Sequence, residues 1–162
     1  MKKFYFSALF NKDIFYKGDQ MFLKRRVFLT FQNLIKTFYK QDIKSFSRIL
    51  DLGAGDNSFI KVVKENGIDG YGLDIDDINL ENEKLNFNDD HFDLITGISL
   101  IEHIVDPSNF LTETLRVLKK DGFLILVTPD WKHNVKDFFD DPTHVKPYTK
   151  NSLEFLLKSF GF

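Results

Sequence analysis

Arg48-Ile49-Leu50-Asp51-Leu52-Gly53-Ala54-Gly55-Asp56-Asn57 is the stretch that decides the fold. An apolar run meets a carboxylate, two glycines follow one residue apart, and an amphipathic segment opens at Ser58. The pattern predicts a buried strand, a tight turn and a helix. Glycine suits such a turn because the backbone must bend sharply and let a ligand come close. The helix beyond it presents N–H groups that have no partner within the helix. The unit therefore points to a nucleoside-like ligand at the end of the strand.

Two ligand classes fit the spacing poorly. A phosphate-binding loop needs G-x-x-x-x-G-K-[ST], which is absent here. A dinucleotide fingerprint needs a third glycine where this chain has Ser58, which would crowd a pyrophosphate. Asp51 instead aims an anionic group at the pocket and suits a ligand with positive charge. S-adenosylmethionine, with its sulfonium and ammonium groups, is such a ligand. A second apolar run, Gly70-Tyr71-Gly72-Leu73-Asp74, ends in another carboxylate 19 residues after Gly55. An acid at that position can accept both ribose hydroxyls of an adenosine. Asp74 serves either cofactor, so it does not separate S-adenosylmethionine from NAD.

Outward from this unit, helical and strand patterns alternate. Residues 1 to about 18 read as irregular, with a Gly18-Asp19 turn. Gln20 to Tyr39 reads as one amphipathic helix, with Phe22, Leu23, Val27, Phe31, Leu34, Ile35 and Phe38 at helical spacing. Strands are expected at 48–52, 70–74, 92–96 and 123–128, with a short polar one near Ile78-Asn79-Leu80. Helices are expected at 58–66, from Asp106-Pro107 to Asp121-Gly122, and after Thr149. Alternation of this kind implies right-handed crossovers and a parallel sheet covered on both faces.

Composition narrows the function. The chain has 162 residues, 43% of them hydrophobic, a size expected of one domain. We expect a cofactor-binding core at 46–162 and an N-terminal helical cap at 1–45. A net charge of −2 supplies no field for nucleic acid or for an anionic membrane. The run Lys24-Arg25-Arg26 reads as the solvated face of a helix. No window approaches the ~20 apolar residues of a membrane span, and the apolar start breaks at Asn11-Lys12-Asp13, too early for an export signal. The expectation is a cytoplasmic protein. There is no cysteine, and the four histidines include no H-x-x-x-H pair, so no metal is expected. Phe occurs 19 times, too often for aromatic residues to mark a substrate-stacking site by themselves.

Seven segments in order complete the pattern: Ile49–Gly55, Tyr71–Asp74, Phe92–Ile95, Leu100-Ile101-Glu102-His103-Ile104, Leu115–Gly122, Leu124–Pro129 and Asp141–Tyr148. From about Arg48 to the last residue the chain resembles a class I S-adenosylmethionine-dependent methyltransferase. The resemblance implies an α/β, Rossmann-like open parallel sheet in the order 3-2-1-4-5, with helices on both faces. It implies methyl transfer to an oxygen or nitrogen atom of a small-molecule acceptor. For the cofactor it places Gly53, Ala54 and Gly55 against the methionine half, and Asp51 toward its ammonium. It places Asp74 on the ribose, Ile75 on the adenine, Glu81 and Asn82 at the adenine edge, and Gly97 and Ile98 beside the sulfonium.

His103 and His144 are the candidates for a catalytic base, since histidine moves protons near neutral pH and both follow strand ends. The plain alternative for each is a hydrogen bond that orders its loop. Trp131, His133 and Tyr148 are further candidates for the substrate wall.

The chain departs from this family in two places. Asn57 stands where a third glycine is common, and Asn tolerates left-handed backbone. The terminal antiparallel hairpin is missing, which would leave the strand at 123–128 as an open hydrophobic edge. A fragment, a homodimer through that edge, or cover from the loop at 130–148 and the final helix would each account for this. Two alternatives to an active methyltransferase remain open here: a truncated or inactive S-adenosylmethionine-binding protein, and an NAD-dependent oxidoreductase.

Overall fold

The computed structural model describes residues 3–6 and 20–162. Five strands form one sheet: β1 (Lys3–Phe6), β2 (Arg48–Leu52), β3 (Asp69–Leu73), β4 (Phe92–Ile98) and β5 (Leu118–Val127). Their order is β1-β5-β4-β2-β3, and every pair is parallel. The helices are α1 (Gln20–Tyr39), α2 (Ser58–Glu65), α3 (Ser108–Val117), α4 (Trp131–Asn134) and α5 (Lys150–Ser159). No helix among the described residues is long and apolar enough to cross a membrane.

The strands alternate cleanly between two covered faces, as a parallel sheet requires. Ile49, Leu94, Phe123, Ile125 and Val127 join Val27, Phe28, Phe31 and Ile35 of α1 and Phe59, Ile60, Val62 and Val63 of α2. Leu50, Leu52, Ile95, Leu124 and Leu126 face the other way, onto Phe110 and Leu111 of α3 and Leu153 and Leu157 of α5. The long amphipathic helix thus packs on the sheet. Much of the phenylalanine is core: Phe28, Phe31, Phe59, Phe92, Phe110, Phe123 and Phe138 are fully buried. Each contributes roughly 2–3 kcal/mol of hydrophobic stabilisation.

The expected order of the shared strands, β3-β2-β4-β5, is the one observed, but both ends of the sheet differ from expectation. Residues 78–80 form no strand. The Asp77 carboxylate accepts the Asp74 N–H at 2.9 Å and Ile78 N–H donates to Asp74 O at 3.1 Å, which curls the chain into turns. Two aspartates and an asparagine around Ile78 favour such side-chain-to-backbone bonds over a ladder.

At the other end, Lys3–Phe6 is a strand rather than irregular chain. It runs parallel to β5 in the register Lys3↔Phe123 to Phe6↔Leu126. The edge expected to be open is therefore occupied from within the chain, and pairing of two copies through it loses its rationale. The Gly18-Asp19 turn lies outside the described residues.

β5 opens at Leu118, five residues before the expected start at 123, and takes the end of the preceding helix with it. α3 begins at Ser108, one residue later than expected, with the Asp106 carboxylate accepting Ser108 N–H at 3.0 Å. It ends at Val117 rather than near Asp121-Gly122, because Leu118 already pairs with Phe92 in the sheet. Thr149 and Ser152 form a reciprocal capping box at the start of α5.

Candidate functional site

The turn between β2 and α2 is built from three left-handed residues, Gly53 (φ +73°), Gly55 (φ +54°) and Asn57 (φ +59°). Asn57 adopts the conformation that a third glycine would supply, so the departure leaves the turn intact. The turn is clamped onto the tip of β3. Gly53 N–H and Ala54 N–H both donate to Leu73 O, at 2.8 and 3.1 Å. Gly55 N–H donates to Asp74 Oδ2 at 2.6 Å, and Ile75 N–H to Asp74 Oδ1 at 2.8 Å. Gly72 permits this closeness. A Cβ there would strike the Asn57 side-chain amide and come within 2.8 Å of the Ala54 methyl. Nothing local in the sequence distinguishes Gly72 from an ordinary strand glycine, so its role is visible only in this packing.

Asp51 lies on the sheet face covered by α1 and α2, only 2% exposed. Thr96 of β4 donates its hydroxyl to Asp51 Oδ1 at 2.6 Å. Burial pushes this carboxyl up to about 7, against the opposing pull of the Thr96 hydrogen bond and the charge of Lys24, with Asp74 adding a smaller push upward. Lys24 belongs to α1, so the run read as a solvated face turns one cation toward the site. Arg25 instead pairs with Glu65 at 3.1 Å, and Arg26 lies over the Phe22 ring. A buried carboxyl poised near neutrality, beside a turn with little side-chain bulk, is suited to pairing with a ligand cation.

The other expected cofactor contacts are spread along the same rim. Ile75 is 83% exposed, a large apolar side chain standing in the open beside Asp74. Gly97 is buried under Leu100, whose side chain also lies over Gly53. Ile98 is partly buried against the α1 side of the core. Glu81 holds a loop together: its carboxylate accepts Val105 N–H at 3.3 Å and Asp106 N–H at 3.1 Å. Asn82 is exposed, and its N–H donates to Asn79 O at 3.2 Å.

Beyond β4 and β5 the fold brings His103 and His144 together, with ring centroids 4.8 Å apart. His144 is buried, and its Nδ1 lies 2.6 Å from Phe138 O. A carbonyl can only accept, so Nδ1 carries the proton there. His103 Nδ1 lies 3.1 Å from Thr143 O and 3.0 Å from Thr143 Oγ1. The Thr143 hydroxyl donates to Asp141 Oδ1, so it accepts from His103. Both rings thus spend Nδ1–H on the loop.

Between them and the core sits Glu102, fully buried, with neither carboxylate oxygen in a hydrogen bond among the described residues. Burial raises Glu102 above the usual carboxylate range. The backbone N–H of Glu102 itself and, less, the Thr128 hydroxyl are near enough to favour the charged form, yet neither makes a well-aligned bond to the carboxylate. The Tyr148 hydroxyl is likewise buried and has no hydrogen-bond partner among the described residues, and is pushed up to about 12 by burial and by the charge of Glu102. In the sequence Glu102 stands out only as part of the segment Leu100-Ile101-Glu102-His103-Ile104. Its apolar neighbours Ile101 and Ile104 were the one local sign that it is buried.

The Trp131 ring packs edge-on against Phe138 and Phe139, and the Trp131 backbone N–H donates to Tyr148 O at 2.8 Å. His133 is exposed and meets Asp130 at 3.1 Å.

Comparison with known proteins agrees with this architecture. Residues 23–162 match the family described as a methyltransferase domain. An uncharacterized methyltransferase, YcgJ of Bacillus subtilis strain 168, is 29% identical over 137 residues, covering 72% of this chain. The chain spans about half the length of that curated relative, 54%. The crystal structure of a SAM-dependent methyltransferase from Archaeoglobus fulgidus superposes with a TM-score of 0.69 at 25% identity, covering 91% of this chain and 71% of that one. A phosphoethanolamine N-methyltransferase from Haemonchus contortus shares the fold at 19% identity and a TM-score of 0.58, covering 91% of this chain and 43% of that one. Strand order, the glycine turn between two acid-tipped strands and the family match agree: this chain belongs to the methyltransferase domain family, of the class I S-adenosylmethionine-dependent type.

Proposed function

We propose that this chain binds S-adenosylmethionine and transfers its methyl group to an oxygen or nitrogen atom of a small molecule. The observation that carries the proposal is the joining of two acid-tipped strands, β2 with Asp51 and β3 with Asp74, around one glycine turn. Bound there, S-adenosylmethionine supplies a methyl group already activated on its sulfonium.

The chain's own residues have three tasks. Asp51 releases to solvent the proton that burial favours and pairs with the ammonium of the methionine half. Asp74, held at the turn by Gly55 N–H, accepts from the ribose hydroxyls, and exposed Ile75 gains apolar cover from the adenine. Gly53, Ala54, Gly55, Gly97 and Ile98 let backbone approach the cofactor. We place Glu81 and Asn82 near the adenine edge, with Glu81 acting by fixing the 105–106 loop. Orientation of two reactants in this way supplies up to ~7–11 kcal/mol in favourable systems. His103 and His144 activate the acceptor: with Nδ1 engaged by the loop, each keeps an Nε2 lone pair.

Calorimetric titration with S-adenosylhomocysteine and, separately, with NADH tests the cofactor half. Tight binding of the first and none of the second is expected, and the reverse would overturn the proposal. Transfer of labelled methyl from S-adenosylmethionine into the low-molecular-mass fraction of a cell extract tests the second half. Binding without any such transfer would favour a protein without turnover.

A further inference from the structure

We propose that Glu102, His103 and His144 form a binding site for one divalent transition-metal cation of the zinc type. Each offers one donor atom, and these atoms all lie within 4.8 Å of one another. Donors around a single zinc lie at ~2.0–2.2 Å from it, so side-chain movements of about an ångström would close the set.

Three independent observations point to a cation. Glu102 is fully buried, yet both its oxygens lack partners among the described residues. Burying a carboxylate without well-aligned donors is costly, and metal coordination is one of the few ways to offset it. Second, both imidazoles are oriented as metal ligands usually are. Nδ1–H is donated to a backbone carbonyl, Thr143 O for His103 and Phe138 O for His144. This outer contact fixes the ring and leaves Nε2 free to donate its lone pair.

Third, the local charge is negative. Asp141 Oδ2 lies 3.8 Å from His144 Nε2, at the margin of the set. Among the described residues no Lys or Arg forms an ion pair with Glu102 or Asp141. Two imidazoles and one carboxylate suit zinc, iron(II) or cobalt(II) better than magnesium or calcium.

Sequence spacing concealed the set. Glu102 and His103 are adjacent, and His144 comes 41 residues after His103 in another loop. With the cation bound, both Nε2 lone pairs are coordinated, so His103 and His144 then act on the acceptor through the open coordination positions of the cation and not as free bases. That role rests on the proposed function, whereas cation binding stands without it.

The test uses the full chain, stripped with a chelator and titrated with Co²⁺. One equivalent is expected to produce visible absorption, displaced by one equivalent of Zn²⁺, with a rise in melting temperature. His103 is partly exposed, so His103→Ala should fold, and it should weaken Co²⁺ binding at least tenfold. Glu102→Gln should do the same. His91→Asn should leave binding unchanged, because His91 precedes β4 at the opposite end of the sheet. No absorption in the native chain, or equal absorption in His103→Ala, would overturn the site. Parallel calorimetry with S-adenosylhomocysteine keeps this failure distinct from failure of the cofactor assignment.

Discussion

Thr96 donates its hydroxyl to the Asp51 carboxylate across 2.6 Å, from β4 to β2, where both residues are almost sealed from solvent. That contact only partly offsets burial, so Asp51 is protonated far more readily than a free aspartate. Its value moves from 3.8 to about 7, so the folded state holds this proton more tightly than the unfolded state. The Asp51 contribution to stability is therefore most favourable below pH 3.8 and declines as pH rises toward 7. The full penalty above that is about 4 kcal/mol, taken at 1.36 kcal/mol per unit. Asp51→Asn keeps the shape and removes the charge. It should stabilise the free protein by about 2–4 kcal/mol at alkaline pH in urea unfolding, and by little in acid.

The same substitution should weaken S-adenosylhomocysteine binding at least tenfold, since its ammonium loses a partner. In the native chain, binding should tighten as pH rises toward 7, by up to about tenfold per unit, as Asp51 releases its proton. Calorimetry across that range in buffers of different ionisation enthalpy reads the proton release. A flat affinity would remove Asp51 from the cofactor contact.

Gly72 is the second position where a small change should be felt. In Gly72→Ala the new methyl meets the Asn57 amide and the Ala54 methyl. Overpacking of this kind costs about 1–3 kcal/mol. Because the strain falls on the glycine turn, loss of S-adenosylhomocysteine affinity should accompany the loss of stability. A variant with native melting and native affinity would mean that the turn relaxes freely.

Arg116 ties the 85–89 loop to α3. It donates to Leu85 O, Phe87 O, Asp89 and Glu113, the last at 2.6 Å with both side chains largely buried. Glu113 also accepts Leu85 N–H at 2.8 Å. Arg116→Met strands that carboxylate and should cost about 3–5 kcal/mol in denaturant unfolding at neutral pH. The Arg116 hydrogen bond holds Glu113 below its usual 4.5, so this stabilisation is present above 4.5 and fades as pH falls through the lowered value. The gap between native and variant should narrow in acid. A constant gap would assign the effect to packing alone.

β1 covers the outer edge of β5 with four residues. Removing residues 1–6 should expose the backbone of Phe123 to Leu126 and promote self-association. Light scattering after size exclusion would show it as larger species that grow with concentration. An unchanged mass distribution would mean that β5 is protected by other means.

Much of the fold was legible because its signals are local. The apolar run into Gly53-Ala54-Gly55, the helical spacing over Gln20 to Tyr39 and the Thr149 cap each lie within a few residues, and each element formed where the spacing put it. Asp51 and Asp74 were legible as strand tips for the same reason. Ile78 was misread because short apolar alternation looks alike in a strand and in a turn. What decides between them is Asp77 bonding back to Asp74.

By itself, then, the order of residues determined the alternating elements, the parallel sheet and the acid-tipped glycine turn, because periodicity and turn chemistry are properties of neighbours along the chain. Only the tertiary structure decided that Lys3–Phe6 lies beside β5, that Thr96 faces Asp51, and that Glu102, His103 and His144 converge. Apart from the adjacent Glu102 and His103, those partners lie about 40 to 120 residues apart, and no local pattern encodes a meeting set by strand order and by which loops share one end of the sheet.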